Sequence, residues 1–493
     1  MRRSFFMSRD WNRFGACLAL VVLGCDSSGQ SNVKDNADSG NHSGGGAQGD
    51  GGAAGVAGTP NGGGAAGAQG NGSGGKTSAG GGQSSGGNAG SKGGTTSAGA
   101  QGSGGAAGGS AGSSGATGGR AGNGGAAGGS AGSGGMQQPP PPKVSACDGL
   151  AADGTFEEIT PPEVKAAIAT GTDAGTFAIA VDSVNQGTVY AGTLYHKLWK
   201  STDCGATWKA IATGTNGADV NRGMNWTLFI DPQDPAVVYT NSGYGSNGLF
   251  KSLDGGVNWI DIWSLKSQPE LGKSFQYNFA NVIAIDPSNH LHILLTFHEP
   301  CLAPHAATCI VETMNGGTTW SIIDGQPGWD GNEGQVIFFL NDSKTWLWGS
   351  QSNGFWRTGD SGQSWQAISG MTTSHLQSSE LVRTKNGTFF VAGSDGIWRS
   401  PDGAVSTWKL VPDTGPIVGG LVTDGTNMYA STCYFQNFCT PRYLKSPESD
   451  GQKWTVMPSP STMTMGGTMG YDAGHHLLYS SNLNSGMWRV VVH

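Results

Sequence analysis

Ser201-Thr202-Asp203-Cys204-Gly205-Ala206-Thr207-Trp208 decides the fold, because the chain returns to it five more times. Ser252 to Trp259 keeps Asp254, Gly256 and Asn258 in register, and Thr313 to Trp320 sets Asn315 where the others have Asp. Thr358 to Trp365 is the fourth copy. Ser400-Pro401-Asp402 to Trp408 carries one extra residue, and Ser446 to Trp454 is degenerate. From Trp to Trp the copies lie 43–61 residues apart, the period of a repeat architecture.

Each element of the motif has a mechanical reading. The Ser/Thr hydroxyl and the Asp carboxylate bond backbone groups of a tight turn between two strands. The Gly takes a positive-φ position, and the Trp opens the next strand and packs between neighbouring sheets. These Asp residues are therefore structural and poor candidates for catalysis. The motif resembles the Asp-box, or BNR, repeat, which implies a β-propeller.

A four-strand pattern surrounds each copy. Inner strands end at Asp-Pro turns, as in Leu228-Phe229-Ile230-Asp231-Pro232 and Ile283-Ala284-Ile285-Asp286-Pro287. Second strands such as Val237-Val238-Tyr239 and Leu477-Leu478-Tyr479 follow, then third strands such as Gly354-Phe355-Trp356-Arg357. Short alternating strands with turn residues between them are the signature of propeller blades. Third strands centre on Trp199, Phe250, Ile310, Trp356, Trp398, Leu444 and Trp488, which predicts an all-β fold of seven blades, with six as the runner-up. The last blade lacks an outer strand, while Asp153 to Ile159 imitates one. The N-terminal segment is thus expected to close the ring, which removes exposed sheet edges.

Turn residues gather on one face, so the chemistry is expected on the other. The loops there hold Tyr195-His196, Tyr244, His298-Glu299 and Tyr434 after second strands. Before inner strands they hold Arg222, Tyr277, Asp330, Glu333 and His375. Glu299 and Glu333 are the candidate acid and base (or nucleophile) for a glycosidic bond. His298 or His375, with Tyr244 or Tyr277, is the alternative, abstracting a proton beside a uronate with Arg222 on its carboxylate. Tyr195, His196, Arg222, Tyr244, Tyr277, Asp330 and Tyr434 are the candidate substrate-binding residues. No metal or cofactor motif stands out.

Over residues 150–493 the repeats resemble those of sialidases and xyloglucan-degrading hydrolases, and also of non-catalytic sortilin-type receptors and photosystem assembly factors. The scaffold alone does not choose between them. The resemblance to sialidases implies three arginines and a Phe-Arg-Ile-Pro-like motif. The motif is absent, and Arg357, Arg399 and Arg489 occupy a repeated scaffold position. The xyloglucan enzymes pair two propellers, and this chain has length for one. The reading is a carbohydrate-active propeller, hydrolase- or lyase-like. The alternative is a non-catalytic glycan- or protein-binding propeller or an envelope assembly factor.

Composition supplies the address. More than half of the 87 glycines fall before residue 136 in a chain of 493. Basic residues from Arg2 to Arg13 and the apolar run Phe14 to Leu23 read as an export signal over 1–24, too short to span a bilayer. Val22-Leu23-Gly24-Cys25 resembles a lipobox, which implies lipidation of Cys25. Residues 25–142 read as that cysteine and a Gly/Ala/Ser-rich disordered tether with an r.m.s. reach of roughly 55–60 Å, ending in four prolines. The propeller occupies 143–493. Net charge is −8 and no basic run interrupts the folded part, which argues against nucleic acid. The expected partners are a polysaccharide or glycoconjugate and, through the lipid, a membrane; the protein is expected to be a monomer. Six cysteines follow Cys25, an even count that suggests Cys301–Cys309, Cys433–Cys439 and Cys147–Cys204 in an exported chain.

Overall fold

The computed structural model describes residues 140–493, apart from 173–174, 273–278, 326, 328–334, 352, 373–379 and 436–438. The export signal, Cys25 and the Gly-rich segment lie outside the described residues. No described helix is long and apolar enough to cross a membrane.

Seven four-stranded antiparallel sheets form the blades of a propeller. Blade one runs Thr176–Val181, Val189–Thr193, Leu198–Ser201 and Lys209–Ala210. Blade two has Leu228–Ile230, Val238–Asn241, Leu249–Ser252 and Ile260–Trp263. Blades three to six repeat the order from the inner strands Ala280–Asp286, Val336–Phe339, Leu381–Arg383 and Gly420–Thr423. In blade seven, Thr468–Asp472, Leu477–Ser481 and Met487–Val491 are completed by Phe156–Glu158. Phe156 stands opposite Val490 and Glu158 opposite Trp488, so the early segment closes the ring as its resemblance to an outer strand predicts.

Seven apolar clusters hold the ring, one at each junction between adjacent blades. Tyr239 and Trp263 of blade two meet Leu295 and Val311 of blade three. Leu294 and Ile310 of blade three meet Trp346 and Trp348 of blade four. Both faces of the middle strands are therefore buried, which explains strands such as Trp346–Ser350 with no exposed residue, while outer strands such as Gln366–Ala367 stay exposed. Polar stitches cross the same junctions: Asn225 N donates to Thr193 O at 3.1 Å, and Ser481 Oγ to Phe177 O at 2.8 Å.

The repeated turn behaves as its residues require. Gly205 N donates to Ser201 Oγ at 2.8 Å and Thr207 N to Asp203 Oδ1 at 2.9 Å. The same bonds recur at Ser252 and Asp254 (2.9 and 2.9 Å) and at Thr358 and Asp360 (3.0 and 2.9 Å). Asn315 does the work of Asp, accepting from Thr319 N through Oδ1 at 2.9 Å. In the degenerate copy Glu448 turns away to accept from Thr423 Oγ1 and from Lys385 N, stitching blade six to blade five.

All three expected disulfides are present, with Cα separations of 5.8 Å for Cys147–Cys204, 6.2 Å for Cys301–Cys309 and 5.9 Å for Cys433–Cys439.

Candidate functional site

A blade strand that runs down the channel and back leaves two sets of connections. The repeated turns and the hairpins after inner strands lie on one face. The loops after second strands and before inner strands form a mouth on the other.

An arc of aromatic rings follows that mouth. Phe177 and Trp226 each stand five residues before their blade's turn aspartate, Asp182 and Asp231, so the same register aims both at it. Their centroids are 4.1 Å apart, edge to face. Trp226 stacks on Phe279 at 6.2 Å, and Phe279 stacks on the His298 imidazole at 4.6 Å. Tyr434 closes the other end against Phe177 at 5.9 Å. Phe177, Phe279, His298 and Tyr434 are each 1% exposed and Trp226 6%, whereas Tyr244 is 46% exposed.

Three candidates meet in one chain. The Tyr244 hydroxyl lies 3.3 Å from His298 Nε2, and His298 Nδ1 lies 3.5 Å from Glu299 Oε1. The second distance is a long contact, and Nδ1 makes no aligned hydrogen bond among the described residues. The His298 imidazole beside Glu299 holds its carboxyl below the usual carboxylate range, against the opposing push of burial. His298 is enclosed, so it acts only through its two neighbours.

The other candidates are spread around the rim. Tyr195 takes a left-handed backbone at φ 59°, and the His196 carbonyl accepts from Trp199 Nε1 at 2.7 Å. Arg222 pairs with Asp219 at 2.8 Å instead of pointing free into the mouth. Tyr434 is buried and its hydroxyl has no partner among the described residues, so it supports the wall and offers no face to solvent. Tyr277, Asp330, Glu333 and His375 lie outside the described residues. His475 comes within 4.8 Å of the Cys147 and Cys204 sulfurs, but these are bonded to each other.

Sequence reading missed Glu380. It stands at the mouth end of blade five's inner strand, where its Oε2 accepts from Leu421 N of blade six at 2.6 Å. Part of the residue reaches solvent, yet its carboxyl is enclosed, and burial pushes it up to about 8. A lone carboxylate before Leu381-Val382 was the available signal. Phe177, Trp226 and Phe279 were missed because an aromatic at a strand end reads as core. A hollow of about 440 Å³ lined by Arg383, Lys385, Thr423 and Glu448 lies on the turn face, away from the mouth.

No family model matches the chain. A xyloglucanase of Paenibacillus sp is 26% identical over 253 residues, 49% of this chain and 20% of that protein. A xyloglucanase of Hypocrea jecorina (strain QM6a) is 25% identical over 282 residues, 48% of this chain and 32% of that protein. The chain thus spans between a fifth and a third of the length of these curated relatives. Among solved structures, the GH74 enzyme of Niastella koreensis has TM-score 0.47 at 18% identity, covering 68% of this chain and 53% of its own. YCF48 from Cyanidioschyzon merolae has TM-score 0.45 at 12% identity, covering 69% and 98%.

Proposed function

We propose that this protein is a carbohydrate-active, glycoside hydrolase-like propeller whose mouth binds and cleaves a polysaccharide. The observation that carries the reading is the chain of ionisable groups at the mouth, with Tyr244 3.3 Å from His298 and His298 3.5 Å from Glu299, and beside it the opposite pushes on two carboxyls of that face, Glu299 down by His298 and Glu380, two blades on, up by burial. Groups separated in this way take the roles of base and acid at one pH. Glu380 holds the proton that goes to the glycosidic oxygen as the C–O bond breaks. Glu299 takes a proton from the attacking water, or attacks the sugar itself. Tyr244 offers its exposed ring to a sugar face. The sequence relation to xyloglucanases supports xyloglucan as substrate, and the charge of −8 disfavours a polyanion. Glu333, three residues before the inner strand of blade four in sequence, is the alternative acid.

The repeats are Asp-boxes on this reading, and the chain is an exported lipoprotein held through Cys25. Residues 26–142 keep the domain clear of the membrane.

One observation favours a second reading, a non-catalytic propeller that binds a glycan or a protein: the Phe177, Trp226 and Phe279 rings are buried and form no open aromatic groove. The full chain incubated with xyloglucan and a panel of polysaccharides, read for reducing ends and for unsaturated-uronate absorbance, separates the two. Reducing ends that disappear in Glu299→Gln and Glu380→Gln support the hydrolase. Silence in both readouts with binding on a glycan array leaves the binding module, and silence throughout overturns both the hydrolase and the glycan-binding module.

A further inference from the structure

The strand that closes the ring is the first blade strand after the N-terminal segment, and this would expose it to any pull from that side. Phe156–Glu158 is held to blade seven by three residue pairs, against Val490, Arg489 and Trp488. A short edge strand pulled from its end parts one bond at a time, and its loss would reopen two sheet edges.

The chain does not leave this strand to take such a pull. Thirteen residues earlier Lys143–Val144 pairs in parallel with Asn185–Gln186, the hairpin below blade one's inner strand. Lys143 N donates to Val184 O at 2.6 Å and Ser145 N to Gln186 O at 3.2 Å. The Ser145 carbonyl also lies 2.7 Å from His475 Nε2, and Asp472 Oδ2 holds the other ring nitrogen at 2.7 Å. Gly187 makes the passage possible: a Cβ there would lie 2.0 Å from Ser145 Oγ. Cys147 is then bonded to Cys204, inside the first repeated turn. All these partners belong to the turn face of blades seven and one, opposite Tyr244, His298 and Glu299.

We propose that Cys147–Cys204, with the short ladder before it, is a strain-relief anchor that passes tension from the N-terminal segment into blade one and keeps it off the closing strand. Topology makes the argument. Tension arriving at Cys147 crosses to Cys204, so the chain between them, closing strand included, lies off the path of the force. The inference rests on the reading of residues 25–142 as a tether. A force applied by instrument tests it separately, and lipid labelling at Cys25 tests the tether itself.

The test is single-molecule pulling on the full chain between a fixed handle on Lys344→Cys, exposed on the hairpin of blade four, and two alternative entry points. In one, the handle is at the amino terminus, so force meets the disulfide first. In the other it is on Ala152→Cys, an exposed position past the disulfide, with the fold and Cys147–Cys204 unchanged. The first rupture is expected at several-fold lower force from residue 152, with release of the closing strand as its first step. Cys147→Ser/Cys204→Ser pulled from the amino terminus is expected to behave like the residue 152 pull. Equal first-rupture forces from the two entry points in the disulfide-bonded protein would overturn the proposal.

Discussion

The Tyr244 hydroxyl, on a loop of blade two, lies 3.3 Å from Nε2 of His298, at the end of blade three's second strand. The bond joins an exposed phenol to an enclosed imidazole, and the imidazole's far side faces Glu299 at 3.5 Å. His298 is accordingly a positioning residue for the carboxylate. In His298→Gln, Glu299 loses the neighbour that holds its proton affinity down. The acid limb of the kcat/KM profile on a cleaved polysaccharide is then expected to move to higher pH. A uniform loss at every pH, with the limb in place, would show that His298 only supports the loop.

The Tyr244 ring and its hydroxyl have separable duties. Tyr244→Phe keeps the exposed face and is expected to hold a xyloglucan oligosaccharide almost as tightly as the parent. Tyr244→Ala removes the face, and affinity is expected to fall on the order of tenfold, ~1.4 kcal/mol. Titration calorimetry with the two variants reads the difference, and equal affinities would move the sugar away from this ring.

Much of this architecture is legible in the chain because a repeat states the same rule many times. Trp199, Trp356 and Trp488 mark third strands by position alone, and the imperfect copy at Asp153–Ile159 reveals how the ring closes. The site is different, since each of its residues occurs once. His298-Glu299 could be picked out because two ionisable groups interrupt an otherwise apolar stretch. Glu380 could not, because its character comes from Leu421 N, 41 residues away in sequence and 2.6 Å away in space. Tyr434 failed in the opposite sense: as a polar ring in a loop it reads as exposed, yet packing against Phe177 buries it.

The repeated turns should affect stability without affecting the mouth. Asp254 accepts from Val257 N, Asn258 N and Asn258 Nδ2, at 3.0, 2.9 and 2.7 Å. These bonds outweigh the opposing effect of burial and pull its carboxyl down to about 2. A lowered folded-state value means that the contribution is complete above the ordinary carboxylate range and fades as pH falls toward 2. Asp254→Ala is expected to cost about 1 kcal/mol, as loss of a side-chain cap does, in urea unfolding at pH 7. Polysaccharide binding or cleavage should not change. Asn315→Asp should be tolerated, because the turn already accepts either side chain.

His292 should give the ring a pH dependence of the opposite sign. It is 3% exposed, with Nδ1 3.0 Å from Asp286 Oδ2 and Nε2 3.0 Å from Glu312 Oε1. Burial works to lower its proton affinity, but the two carboxylates outweigh burial and raise it. Its contribution is therefore complete below the unfolded imidazole value near 6.5 and is lost as pH rises through the higher folded value. The urea midpoint of the parent should fall between pH 6 and pH 9, and that slope should flatten in His292→Gln. Since the change also leaves Asp286 buried without its cation, His292→Gln is expected to cost about 3 kcal/mol at pH 6. An unchanged slope would place the titration elsewhere.

Two glycines test whether close approach or backbone geometry governs the use of glycine within the blades. A Cβ on Gly467 would lie 1.4 Å from Ser481 O, within blade seven, beside the point where Ser431 Oγ reaches the Gly467 carbonyl from blade six at 2.5 Å. The obstacle is backbone, so no rotamer relieves it, and Gly467→Ala must push two paired strands apart. Gly387 has φ +85° and open space around its Cβ position, so alanine there meets only the left-handed backbone, worth about 1–2 kcal/mol. Gly467→Ala is expected to cost about 3 kcal/mol or more, comparable to severe overpacking in a core. Urea unfolding of the two variants gives the comparison. If Gly387→Ala proved the more damaging, the strand pair at Gly467 would be softer than its backbone spacing implies.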